Sequence, residues 1–207
     1  MAIKQKTDYF DRLINESEYS LEASKLLKDF LRQYSVSDIF EIQKEIKSLR
    51  NSCKAESEEI FKALETEFLP PLDREDIYFL SRSILKVTDT FFDVFQCIYI
   101  YNPYALTQDT VRLFEISFDM CTEMHKAICE MKNYRKRDRL QEKINACLGF
   151  KENLIEAYET ALRSLLSDTN DMRKILSFTK IYDSIRKCFA ECEETVLLIE
   201  TVVMKNV

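Results

Sequence analysis

The 207-residue sequence predicts an all-α fold of six long, antiparallel helices, and three observations carry that prediction. Glycine occurs once and proline three times, while residues that favour helices dominate. Apolar residues recur in alternating steps of three and four, the rhythm of a helix that buries one stripe. Turn-forming clusters fall in five short stretches, and short connections join antiparallel neighbours.

The first helix is read from about Thr7 to Tyr34 and ends at the turn "YSVSD". The second, about Ser37 to Phe68, keeps the rhythm through Ile39, Ile42, Ile46, Leu49, Cys53, Ile60 and Leu64. It must stop at "PPLD", because Pro70 and Pro71 lack the backbone donor that a continuing helix needs. Asp73 is placed to cap the third helix, with Glu75 and Asp76 favoured by the positive end of its dipole. That helix carries the stripe Ile77, Leu80, Ile84, Val87, Phe91, Phe95 and Ile98 up to the turn "YNPYALTQD". The fourth repeats it at Val111, Phe114, Phe118, Cys121, His125 and Ile128, up to "NYRKRD". The fifth, about Asp138 to Leu166, is less regular but reads as free of breakers, and "SDTND" follows it. The sixth buries Ile181, Ile185, Cys188, Cys192, Val196, Ile199 and Val203.

Composition bounds the function. With 46% hydrophobic residues the chain has material for a core without covalent staples. Its seven cysteines, an odd number with no CxxC pair, read as buried reduced thiols. "MAIKQKTDYFDRL" holds no apolar leader, and the greasy run "VFQCIYIY" is too short to span a bilayer, so a cytoplasmic location is expected. A net charge of −6 argues against a nucleic-acid partner.

Catalytic signals are absent from the sequence. There is no glycine-rich phosphate loop and no nucleophile elbow, so no enzyme is expected. His125 stands between Cys121 and Cys129 at zinc-like spacing, but the two sulfurs lie about 12 Å apart along a helix axis and read as core. Cys188 and Cys192, one turn apart, read as buried thiols for the same want of converging ligands. The basic stretch "KNYRKRDRLQEK" is interrupted by Asp138 and Glu142. It reads as a solvated turn, or as a contact for a transporter's cytosolic loops or anionic lipid.

Four segments, "FLPPLDREDI", "IYIYN", "MKNYRK" and the terminal "CFAECEETVLLIETVVMKNV", occur in the order seen in the short branch of PhoU-like proteins. The chain resembles that branch, phosphate transport regulators also called Pit accessory proteins, over essentially its whole length. The resemblance implies one domain over 1–207, built as two three-helix bundles related by an internal repeat with halves of roughly 1–103 and 104–207. A shift of about 101 residues lays Phe61 on Leu162, Leu64 on Leu165, Ile77 on Phe178, Leu80 on Ile181 and Ile84 on Ile185, apolar on apolar throughout.

PhoU-like proteins carry four acidic pairs, Glu or Asp followed four residues later by Asp, that form an oxygen cage for metal ions. The matching positions here are Arg50 and Lys54, Leu85 and Asp89, Lys151 and Ile155, and Arg186 and Ala190. Asp89 alone is acidic, so these motifs read as degenerate, with no metal and no cofactor expected. The shifted acids Glu152 and Glu156, or Asp89 and Asp93, lie out of register for a shared site. Arg50 is placed to form an ion pair with Asp89. Alternatively Arg50, Lys54, Lys151 and Arg186 form two basic patches, one per half, for phosphate or an acidic partner peptide.

The function implied is that of a non-enzymatic accessory protein that regulates inorganic phosphate transport by protein contacts. Its partner would be a Pit-type phosphate permease or a signalling protein. It would act in the cytoplasm, meeting the inner face of the membrane only through the transporter, and the ten tyrosines and fourteen phenylalanines point to a self-association surface, so a homodimer is expected. The other reading is a helical scaffold or oligomerisation module that keeps the fold without phosphate control.

Overall fold

The computed structural model describes residues 7–206, with Arg137 by its backbone alone. The first six residues of the stretch read for a leader, and the last residue of the terminal motif, lie outside the described residues. Among the described residues there are seven α-helices and no strand: α1 (Tyr9–Arg32), α2 (Ile39–Thr66), α3 (Arg74–Tyr101), α4 (Gln108–Glu130), α5 (Arg137–Leu148), α6 (Lys151–Asp168) and α7 (Met172–Lys205). Short 3₁₀ turns, Val36–Asp38 and Met131–Asn133, precede α2 and follow α4.

The stripes explain the packing. All seven predicted stripe residues of α3 are fully buried, and all seven of α7 are buried. Each large aliphatic or aromatic side chain removed from water in this way contributes about 1.5–3 kcal/mol. These two stripes face each other, since α3 and α7 make the most extensive helix pair of the molecule. α1 packs on α4, α4 on α7, α7 on α3 and α3 on α1, so four helices close a central ring. α2 lies outside against α1 and α3, while α5 and α6 lie outside against α4 and α7. Each half is thus a three-helix unit, and the halves join through α1 on α4 and α3 on α7.

Three local features differ from the sequence reading. The fifth predicted helix is two segments, broken at Gly149 and Phe150. There the Phe150 amide bonds the Cys147 carbonyl in a tightened turn. The break falls at the chain's single glycine, the weakest helix former available. Asp73 occupies the N-cap of α3, but its side chain makes no capping bond. Its carboxylate instead meets the Lys205 ammonium at 2.7 Å. On α4 the fully buried face is Leu113, Phe114, Ser117, Met120, Cys121 and Met124. Val111, Phe118 and His125 form its half-buried edge, because α4 is covered from several sides rather than along one seam.

The other ends follow local chemistry. Asp8, Thr107 and Asp171 cap α1, α4 and α7 with side-chain oxygens. Asn102 closes α3 in the left-handed region at φ 40°, which asparagine tolerates, and Pro103 prevents continuation. No described helix is long and apolar enough to cross a membrane.

Candidate functional site

The eight positions aligned with the family's acidic motifs meet in two places. In the first half, Arg50 on α2 reaches across to α3. Its Nε donates to Asp89 Oδ1 at 2.5 Å, and its guanidinium lies 4.8 Å above the Phe92 ring. The pair bridges the two helices. Lys54, one turn further on, is exposed and reaches only Glu58 on its own helix, at 4.0 Å.

In the second half, Lys151, Ile155, Arg186 and Ala190 line one groove of about 250 Å³ between α6 and α7. Its lining is mostly apolar, with Leu154, Tyr158 and Phe189 contributing alongside Ile155 and Ala190. Lys151 stands at the rim and donates to Glu193 at 2.8 Å. Arg186 is stacked over Tyr158 at 4.6 Å and lies 3.7 Å from Asp183 on its own helix. Tyr158 donates to Asp183 at 2.5 Å, and burial together with that bond raises its pKa. The four basic candidates are therefore dissimilar: Arg50 and Lys151 are each engaged by an acid of the facing helix, Lys54 faces solvent, and Arg186 lies over Tyr158 beside the groove.

These residues do not fit a metal cluster. Four of the eight positions are cations, three offer no donor atom, and the carboxylate of Asp89 is engaged by Arg50. The shifted acids do not supply a substitute: Glu152 and Glu156 are exposed, and Asp93 pairs with Lys187 at 3.0 Å. Among the described residues no group of three or more His, Cys, Asp or Glu side chains converges for a metal ion. A volume of about 250 Å³ is also below the roughly 300–1,000 Å³ usual for small-molecule pockets.

His125 holds α4 to α1: its Nδ1 is 2.8 Å from Ser17 Oγ, and its Nε2 is 3.5 Å from Cys129 Sγ. Burial lowers its pKa, so the neutral ring is favoured. All seven cysteines are unpaired.

One group escaped the sequence reading. Glu16 of α1 is fully buried at the centre of the first half, where Ser81 Oγ donates to its Oε1 at 3.1 Å and Ser57 Oγ lies 2.8 Å from Ser81 Oγ. Its Oε2 has no partner. Burial, which outweighs the serine bonds, holds the carboxyl well above the usual carboxylate range and favours its protonated form. The available signal was register, since Glu16 stands on the same stripe as Leu13, Ser20 and Leu27.

No family model matches the chain. The UPF0111 protein YkaA of Bacillus subtilis (strain 168), a curated relative, is 18% identical over 204 residues, 99% of each chain. Among solved structures, a PhoU-like protein from Shewanella oneidensis MR-1 superposes with a TM-score of 0.82 at 15% identity, over 95% of this chain and 99% of that one. A second protein of that organism, whose descriptive name calls it PhoU-like and phosphate regulatory, gives 0.79 at 15% identity over 96% and 100%. The chain has the PhoU-like helical fold.

Proposed function

We propose that this chain is a regulatory accessory protein of inorganic phosphate transport, acting through protein contacts at a phosphate permease or a signalling protein. The fold is the ground for the phosphate part, since one structural neighbour carries phosphate regulation in its name. The observation that supports contact rather than chemistry is the α6–α7 groove. There, four positions that would hold metal ligands in the family line a small apolar cleft with Lys151 and Arg186 at its rim. In this reading the protein works in the cytoplasm without catalysing a reaction, as a homodimer, and reaches the membrane through its partner.

The test is co-expression with the phosphate permease of the same genome, followed by co-purification and uptake of labelled phosphate. Stable co-purification and altered uptake are expected, and both should be lost when Ala190→Trp fills the groove. A chain that neither binds the permease nor changes uptake overturns the transporter reading. Sedimentation showing monomer at high concentration removes the homodimer.

A further inference from the structure

The α2–α3 corner exposes apolar surface that the fold does not use. Phe68 and Leu69 in the connecting loop are 86% and 72% exposed, and Phe79 on the first turns of α3 is 53% exposed. Tyr78 stacks on Phe61 at 4.7 Å and meets Phe79 at 5.5 Å, making a continuous aromatic face. Beside it, a depression of about 520 Å³ runs between the end of α2 and the start of α3.

The corner itself is anchored by other residues. Leu72 is buried, Arg74 donates to the Glu67 carbonyl at 2.5 Å, and Lys205 holds Asp73 and Asp76. The aromatic face is therefore held in place without contributing to the anchor. The corresponding corner of the second half shows that such a turn does not require it. With the shift of 101 residues, Phe68, Leu69, Tyr78 and Phe79 fall on Thr169, Asn170, Thr179 and Lys180.

Charge then selects the occupant. From Glu56 to Asp76 the chain carries eight carboxylates against two cations, Lys62 and Arg74. Lys62 is taken by Glu59 at 2.8 Å. Glu65 and Glu75, on the rim of the depression, have no cation within 4 Å among the described residues. Aromatic anchors inside an acidic rim match a helix with one apolar face and flanking lysines or arginines. The same rim repels anionic lipid headgroups.

We propose that the α2–α3 corner docks a basic amphipathic helical segment of a protein partner. This rests on the transport reading only in making that segment cytosolic. The cytosolic loops of membrane transporters carry an excess of lysine and arginine, as the corner requires.

The experiment titrates the full chain into a fluorescent Leu/Lys peptide of about 18 residues, five helical turns, patterned with one apolar face. Controls are a scrambled Leu/Lys peptide, a Leu/Glu peptide, and vesicles containing anionic lipid. Binding of the patterned peptide is expected to weaken at least about tenfold in Leu69→Ser/Phe79→Ser and in Glu65→Lys/Glu75→Lys. Circular dichroism melts of these surface variants are expected to match the parent chain. Equal binding by the variants, or by the scrambled or Leu/Glu peptide, overturns the proposal. Preferential binding of anionic vesicles overturns it in favour of a membrane contact. Sedimentation showing a self-associated species that the variants dissolve assigns the corner to a second copy instead. Peptide binding tests this surface alone, so its failure is distinct from a failure to co-purify with the permease.

Discussion

The two halves treat the same four motif positions in different ways. Between α2 and α3, Arg50 bridges to Asp89 and lies over the Phe92 ring. Between α6 and α7, the residue 101 positions after Asp89 is Ala190, and the carboxylate that meets Lys151 is Glu193, about one turn further along α7. Lys151 turns to Glu193, Arg186 turns to Tyr158 and Asp183, and a groove of about 250 Å³ stays open. Each half links its two helices by an ion pair, Arg50 to Asp89 and Lys151 to Glu193, and in the second half the acid is displaced from the Ala190 position, where the groove lies. The interiors differ as well: the first half buries an acid without a cation, whereas Glu191 of α7 meets Lys86 at 2.6 Å.

The largest expected effect comes from closing the open groove. Ala190→Asp supplies the second half with the carboxylate that the first half kept, and Ala190→Trp fills the cleft outright. Both are expected to reduce permease co-purification at least about tenfold, a loss of about 1.4 kcal/mol. Undiminished co-purification would mean that the groove is not the contact.

Next in size is the pH dependence set by Glu16. Its folded pKa is raised by burial, so its stabilising share is complete below the unfolded carboxylate range near pH 4.5. That share is lost as pH rises towards the folded value. Within that window the slope reaches up to about 1.4 kcal/mol per pH unit. Urea unfolding at pH 5 and pH 8 is expected to show the parent chain losing stability relative to Glu16→Gln as pH rises. Parallel pH profiles would show that Glu16 ionises freely in the fold.

Metal content sharpens the comparison from another side. After equilibration with manganese, iron, zinc and magnesium and removal of loose ions, elemental analysis is expected to find no stoichiometric metal. The cations at Arg50, Lys54, Lys151 and Arg186 repel it in both halves. Several ions per chain would show that other carboxylates rebuild the cluster.

The smallest effect is expected at the first-half bridge. Asp89→Ala removes it, but Arg50 and Asp89 are 41% and 40% exposed, so water screens the pair. Denaturant unfolding should register less than about 1 kcal/mol. A loss well above that would mean the Arg50 crosslink holds α2 to α3.

Much of the fold was legible because helix signals are local. The α3 and α7 stripes, the stop at Pro70 and Pro71, and the turn after Tyr101 each depend on a few neighbouring residues. The candidate site was legible only as positions. Lys151, Ile155, Arg186 and Ala190 stand on two helices, and sequence spacing says nothing of the space left between them once their side chains choose partners.

By itself, then, the sequence determined that the chain is helical, where most helices end, which faces are apolar, and that seven of the eight positions aligned with the PhoU-like acidic motifs carry cations or apolar groups. The tertiary structure alone decided the ring of α1, α3, α7 and α4 and the turning of Asp73 from its cap to Lys205. It also decided the burial of Glu16, the Arg50–Asp89 bridge and the groove at Ala190. Helix formation is governed by contacts within four residues along the chain. Closure, burial and charge pairing are governed by which side chains from distant helices arrive at the same few ångströms.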